Sequence, residues 1–157
     1  MSRRKASSLA ALVLAVALII VGTQAVAARS EGHTLYVRDQ RGGEVFLEQA
    51  NISPDTVIEL SWIHSIEHEP WVERYHVEDT HLVLDEVLIK GYGAGVPAQI
   101  EGDVETKDGV VRMYNIGRRL DQLRWVHSHN TQHGITVGTT TLTTEIPHQS
   151  FVELVVH

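Results

Sequence analysis

From Arg29 to the C-terminus, apolar and polar residues alternate with a period of two almost without a break. Successive side chains of a strand point to opposite faces, so this rhythm fits half-buried β-strands and not helices. The segments that carry it are His33–Val37, Glu44–Glu48, Thr56–His64, Trp71–Val77, His81–Ile89, Val110–Tyr114, Leu120–His127, Ile135–Val137, Thr140–Thr143 and Phe151–Val156. They are rich in Val, Thr, Ile, Trp and Tyr, which pack well on a pleated surface. Turn signals separate them: Arg41-Gly42-Gly43, Asn51–Asp55 around Pro54, Lys107-Asp108-Gly109 and Val137-Gly138-Thr139. No stretch after residue 28 keeps a helical period for three turns. The expected fold is all-β, an antiparallel β-sandwich or small barrel. A single domain over residues 29–157 is the expected organisation.

The start of the chain reads differently. Arg3, Arg4 and Lys5 form a positive cluster, Leu9 to Val21 is an apolar run, and Ala25-Val26-Ala27 supplies an A-x-A pattern. Residues 1–28 therefore read as a targeting segment, either a cleaved signal peptide or an uncleaved N-terminal anchor. The run is about 13 residues, against about 20 for a bilayer span, and residues 9–28 together would reach that length. The expected location is outside the cytoplasm, secreted or tied to the cell membrane by residues 9–28. The chain has no cysteine, which removes a lipid anchor on cysteine and leaves an exported domain to live on its core alone. Loss of residues 1–28 takes the net charge from −7 to about −10. Such an acidic surface, with Lys90 and Lys107 as its lysines, excludes nucleic acid and anionic lipid as expected partners. Contact with a membrane is expected only through the N-terminal segment.

The candidate chemistry lies between Ser61 and Pro97. Ile58, Leu60, Trp62 and His64 share the more apolar face of one strand, and Trp71, Glu73, Tyr75 and Val77 that of the next. Symmetric pairing about Ser65–Pro70 sets Glu73 opposite Trp62, one diagonal from His64. In the third strand Leu82, Leu84, Glu86 and Leu88 share a face, which makes Glu86 another inward acid. Polar groups inside a sheet are costly unless paired, so these three point to a site. An imidazole and two carboxylates can hold a divalent metal, act as general acid and base, or satisfy one another as a structural network. A second set, His127, His129 and His133, includes a His-x-His pair on one strand face, and His64-x-x-x-His68 is a further close pair. Gly91-Tyr92-Gly93-Ala94-Gly95-Val96-Pro97 is a Gly-rich loop without the Lys-Ser/Thr and helix of a phosphate loop. Its glycines suit a close backbone approach to a ligand or a tight crossover.

These residues carry a family resemblance. Trp62-Ile63-His64-Ser65, then Pro70-x-x-Glu73, then Glu86 ahead of Gly93-Ala94-Gly95-Val96-Pro97, resemble the uncharacterised family known as domain of unknown function 1850. Val96 stands where that family usually has Leu. Gln132-His133-Gly134-Ile135-Thr136-Val137-Gly138 resembles a later segment of the family, and the likeness covers about residues 56–140. It implies a small exported or anchored protein, often encoded beside TRAP-type transporters with TAXI-class receptors, with an accessory part in solute uptake. It implies no known reaction. Carried over by position, it points to His64, Ser65, Glu73, Glu86, Gly93, Gly95, Pro97 and His133 as ligand-binding residues. His64, Glu73, Glu86 and His133 are the ones able to hold a divalent metal.

The expected function is an extracytoplasmic binding module that takes a transporter receptor or membrane subunit, or a small anionic solute. A metal-assisted or His/Glu-based hydrolase is the alternative, and a purely structural exported domain is the third reading. Against the hydrolase, the sequence offers no nucleophile–base pair or oxyanion motif.

Overall fold

The structure, a computed structural model, describes residues 32–90, 101–142 and 146–157 of the 157-residue chain. The chain separates into Met1–Glu31 and Gly32–His157, and the fold is that of the second unit. Its strands are β1 (His33–Asp39), β2 (Val45–Ile52), β3 (Ile58–Ile63), β4 (Pro70–Glu78), β5 (His81–Ile89), β6 (Asp103–Lys107), β7 (Val110–Leu120), β8 (Leu123–Val126), β9 (Gly134–Val137), β10 (Thr140–Leu142) and β11 (Phe151–Val156). A single 3-10 turn, His129–Thr131, joins β8 to β9. Among the described residues no helix is long and apolar enough to cross a membrane.

Every strand pairing is antiparallel. The strands make two open sheets, β2-β1-β11-β8 and β10-β9-β3-β4-β5-β7-β6, in a sandwich-like arrangement. Alternation builds the core between them. Leu35 and Val37 of β1 and Val152 and Leu154 of β11 meet Ile58, Tyr75, Val77 and Leu82 of the larger sheet in one buried cluster. Burying each such side chain stabilises the fold by about 1.5–3 kcal/mol. Asp108 and Gly109 both have positive φ, 53° and 78°, so the β6–β7 turn uses the Asp-Gly pair that a two-residue hairpin favours.

Three local expectations are corrected. β6, Asp-Val-Glu-Thr-Lys, is a strand that the alternation did not reveal, because it is an edge strand exposed on both faces. The β3–β4 hairpin is tighter than expected. His64 N donates to Glu69 O at 2.9 Å and His68 N donates to His64 O at 2.9 Å, with His68 in the left-handed region at φ 56°. Trp62 therefore faces Trp71, and Glu73 lies opposite Leu60 rather than Trp62. His64 and Glu73 are thus separated by roughly 13 Å of strand, two same-face steps where a diagonal is one.

The third correction concerns β5. Tyr75 pairs with Leu84, but Arg74 pairs with Glu86, so Asp85 is an extra residue in a β-bulge. Beyond it the parity flips, and Val87 and Ile89 point inward while Glu86 points outward. Glu86 instead centres a charged ladder on the outer face. Arg74 donates to Glu59 at 3.0 Å and to Glu86 at 2.7 Å, while Arg112 donates to Glu86 and, at 2.9 Å, to Glu105. Burial alone would raise the Glu86 pKa, but the two guanidinium groups outweigh it and hold the carboxyl below its usual range.

Candidate functional site

The tightened hairpin sets Trp62 directly across from Trp71 on the inner face of the larger sheet. The two indoles stack, with centroids 5.6 Å apart and planes 21° from parallel. His64, at the end of β3, extends the row by stacking on Trp71 at 5.8 Å. On the other side the row continues through His133, 5.8 Å from Trp62, to Trp125, 6.1 Å from His133. The path of the chain explains this meeting. β8 carries Trp125 in the smaller sheet, the 3-10 turn crosses over, and β9 starts beside β3 in the larger sheet. His133, just ahead of β9, is thereby pressed against Trp62.

These rings form the wall of an open cleft of about 550 Å³, lined also by Leu60, Ser65, Glu73, Arg124 and Thr131. All three tryptophans of the chain line it. Such a volume lies within the usual range for small-molecule pockets, about 300–1,000 Å³. β8 is the free edge of the smaller sheet, so the cleft opens where that sheet stops covering the larger one.

Glu73 is the acid of the cleft. Its Oε1 accepts from Trp71 Nε1 at 3.1 Å, and its Oε2 accepts from the Tyr75 hydroxyl. Tyr75 is 2% exposed. Burial, and then the negative charge of Glu73, push its phenol pKa up, so it stays a donor. Arg124 is committed elsewhere, donating to Glu153 at 3.1 Å, and Arg38 binds the same carboxylate at 2.8 Å. Burial would raise the Glu153 pKa, but these two arginines outweigh it and lower it.

His133 has a defined tautomer. Thr131 Oγ1 spends its proton on Ser128 O at 3.0 Å, so it must accept from His133 Nδ1 at 2.9 Å. Nε2 is then the acceptor nitrogen of the neutral ring. Burial, and then the neighbouring His127, push the His133 pKa down to about 4, so the ring is neutral at pH 7. His127 is held below its usual value by burial and then by His129 and His148, and among the described residues its Nδ1 is buried without a partner. His64 Nδ1 accepts from Glu67 N at 3.3 Å.

Of the residues expected from the sequence, His64, Ser65, Glu73 and His133 line this cleft. His64 and Glu73 do not bond directly; Trp71 stands between them, stacked on one and donating to the other. Glu86 is on the far face of the sheet. The metal shell expected of His64, Glu73, Glu86 and His133 therefore does not assemble, and among the described residues no three His, Asp or Glu groups are placed to hold a metal ion. Gly93, Gly95 and Pro97 lie outside the described residues. Trp71, Trp125, Tyr75 and Arg124 were not expected as site residues. The signal that could have found them is the scarcity of tryptophan: the chain has three, and Trp62 and Trp71 share the face read for His64 and Glu73.

Neither a curated protein nor a solved structure matches the chain. A family model does match, over residues 58–143, more than half of the chain and the stretch that builds the Trp62–Trp71 hairpin, β5, β8 and His133. On that match, the chain belongs to the family described as Domain of unknown function (DUF1850).

Proposed function

We propose that the protein is an extracytoplasmic binding module serving solute uptake, and that it holds a small organic solute in the cleft of Trp62, Trp71, Trp125, His64 and His133. The observation that carries this reading is the gathering of every tryptophan of the chain into one open, drug-sized cavity. Aromatic walls with a few fixed polar groups are the usual make-up of a ligand site. A merely structural core would bury such rings rather than leave them lining a cavity. The wider setting, beside a TRAP-type transporter with a TAXI-class receptor, is supported by the family alone. Export is supported by the Arg3-Arg4-Lys5, Leu9–Val21 and Ala25-Val26-Ala27 pattern. The receptor or a membrane subunit is then the protein that would receive or deliver the solute.

The hydrolase reading has no comparable support. Among the described residues the hydroxyl facing an imidazole is Thr131, and its proton goes to a carbonyl rather than to His133. That geometry does not activate a nucleophile. The test of the binding reading is tryptophan emission of the full chain, titrated with small organic acids, amines and sugars. A saturable shift that Trp62→Leu removes is expected. Saturable binding that Trp62→Leu leaves intact would place the solute elsewhere and defeat the proposal.

A further inference from the structure

We propose that the ligand of this cleft is an organic cation, with its ammonium or guanidinium group seated on Glu73 beside the Trp62–Trp71 pair. The inference rests on the reading of the cleft as a solute site and adds the charge of the solute. Its starting point is a comparison of three carboxylates. Glu86 and Glu153 are 9% and 6% exposed, and each is met by two arginines. Glu73 faces the inside of the sandwich, yet among the described residues its hydrogen-bond donors are neutral, the indole of Trp71 and the phenol of Tyr75. A partly buried carboxylate without a counter-charge is costly.

The two neutral donors also aim it. Each fixes one oxygen, and a carboxylate has about four acceptor sites, so further sites stay available toward the cleft. The nearby cations are spoken for: Arg118 donates to Glu101 at 2.9 Å and Arg124 to Glu153. Arg118 feels the charge of Glu73, after the stronger pull of Glu101, but forms no ion pair with it. Beside Glu73, Trp62 and Trp71 supply indole rings, the aromatic groups that attract cations best. His133 adds a neutral lone pair rather than a positive charge. The whole chain has a net charge of −7, which draws cations toward it and repels anions. The small anionic solute expected from the sequence fits this cleft poorly, because it would meet Glu73 while Arg118 and Arg124, among the described residues, are already paired with Glu101 and Glu153.

The test titrates the full chain, by tryptophan emission and calorimetry, with choline, methylguanidinium, 3,3-dimethylbutan-1-ol and propionate. The alcohol has the shape of choline without its charge. Choline or methylguanidinium is expected to bind saturably, at least about tenfold tighter than the alcohol or propionate. Glu73→Gln is expected to weaken the cation about tenfold or more, with its far-UV spectrum checked for folding. The preference among wild-type ligands decides the matter even if that variant fails to fold. If the alcohol or propionate binds as tightly as the cations, or folded Glu73→Gln binds choline like wild type, the cation site is wrong while the cleft still binds. If none of the four binds, the cation site is overturned, and the wider titration decides the cleft separately.

Discussion

His133 concentrates several effects on one imidazole. Its Nδ1 proton is tied to Thr131, its ring is sandwiched between Trp62 and Trp125, and His127 stands 5.7 Å away. Protonation would place a charge at a buried position beside a second imidazole, which is why its pKa falls to about 4. In the unfolded chain the same group titrates near 6.5. As pH falls from about 6.5 toward about 4, the unfolded state takes up the proton first, so stability is full above that window and is lost through it. His127, also depressed and flanked by His129 and His148, adds to the same window with the same sign. The lowered carboxyls Glu86 and Glu153 act in the same direction but at more acidic pH. The melting temperature is expected to fall between about pH 6.5 and about pH 4, and His133→Phe to flatten that fall. Proton NMR titration should find the His133 midpoint near 4; a midpoint near 6.5 would contradict its burial. Tyr75→Phe removes the buried donor to Glu73 and should cost about 1–2 kcal/mol in urea unfolding.

At the scale of elements, β5 and its bulge decide which acid belongs to the cleft. Val83, Leu84, Val87 and Leu88 make the strand apolar on both parities, so alternation alone cannot locate an inserted residue. That is why Glu86 reads as inward from the sequence and is outward in the fold. The hairpin escaped for a related reason: its register depends on a left-handed residue at His68, a conformation that glycine or asparagine would have advertised and histidine does not. What the residues did declare is the class of the fold, the bounds of β5 and β11, and the inward side of Trp62 and Glu73, the last because apolar and polar residues alternate cleanly from Ile58 to Trp62 and from Trp71 to Val77. Of the candidate site less was legible: the sequence points to His64, Ser65, Glu73 and His133, which line the cleft, but not to the tryptophan row that joins them. Deleting Asp85 should restore strict alternation and leave Glu86 outward with Val87 and Ile89 inward, so the variant should keep its β-sheet far-UV spectrum. Asp85→Ala keeps the extra residue and should fold. Glu86→Ala should destabilise by about 2 kcal/mol, since it leaves Arg74 and Arg112 facing each other across an empty position.

At the scale of the whole molecule, stability and the proposed binding draw on different parts of the same interior. The core lies where the smaller sheet covers the larger, with β11 at its centre: Val152 and Leu154 are both 0% exposed. The cleft lies past β8, where covering stops and the rings of Trp62 and Trp71 are only half-buried. A side chain in the first region is held by neighbours on all sides, and truncating it leaves a cavity that the sheets cannot close. One in the second already borders open space, so its loss removes contact area without creating a new void. The two regions should therefore separate under mutation. Leu154→Ala is expected to cost about 3 kcal/mol in urea unfolding while the folded fraction binds choline as wild type does. Trp62→Leu should cost about 1 kcal/mol and remove the binding. If Leu154→Ala instead weakens choline binding tenfold in fully folded protein, the cleft is coupled to the core and the separation is wrong.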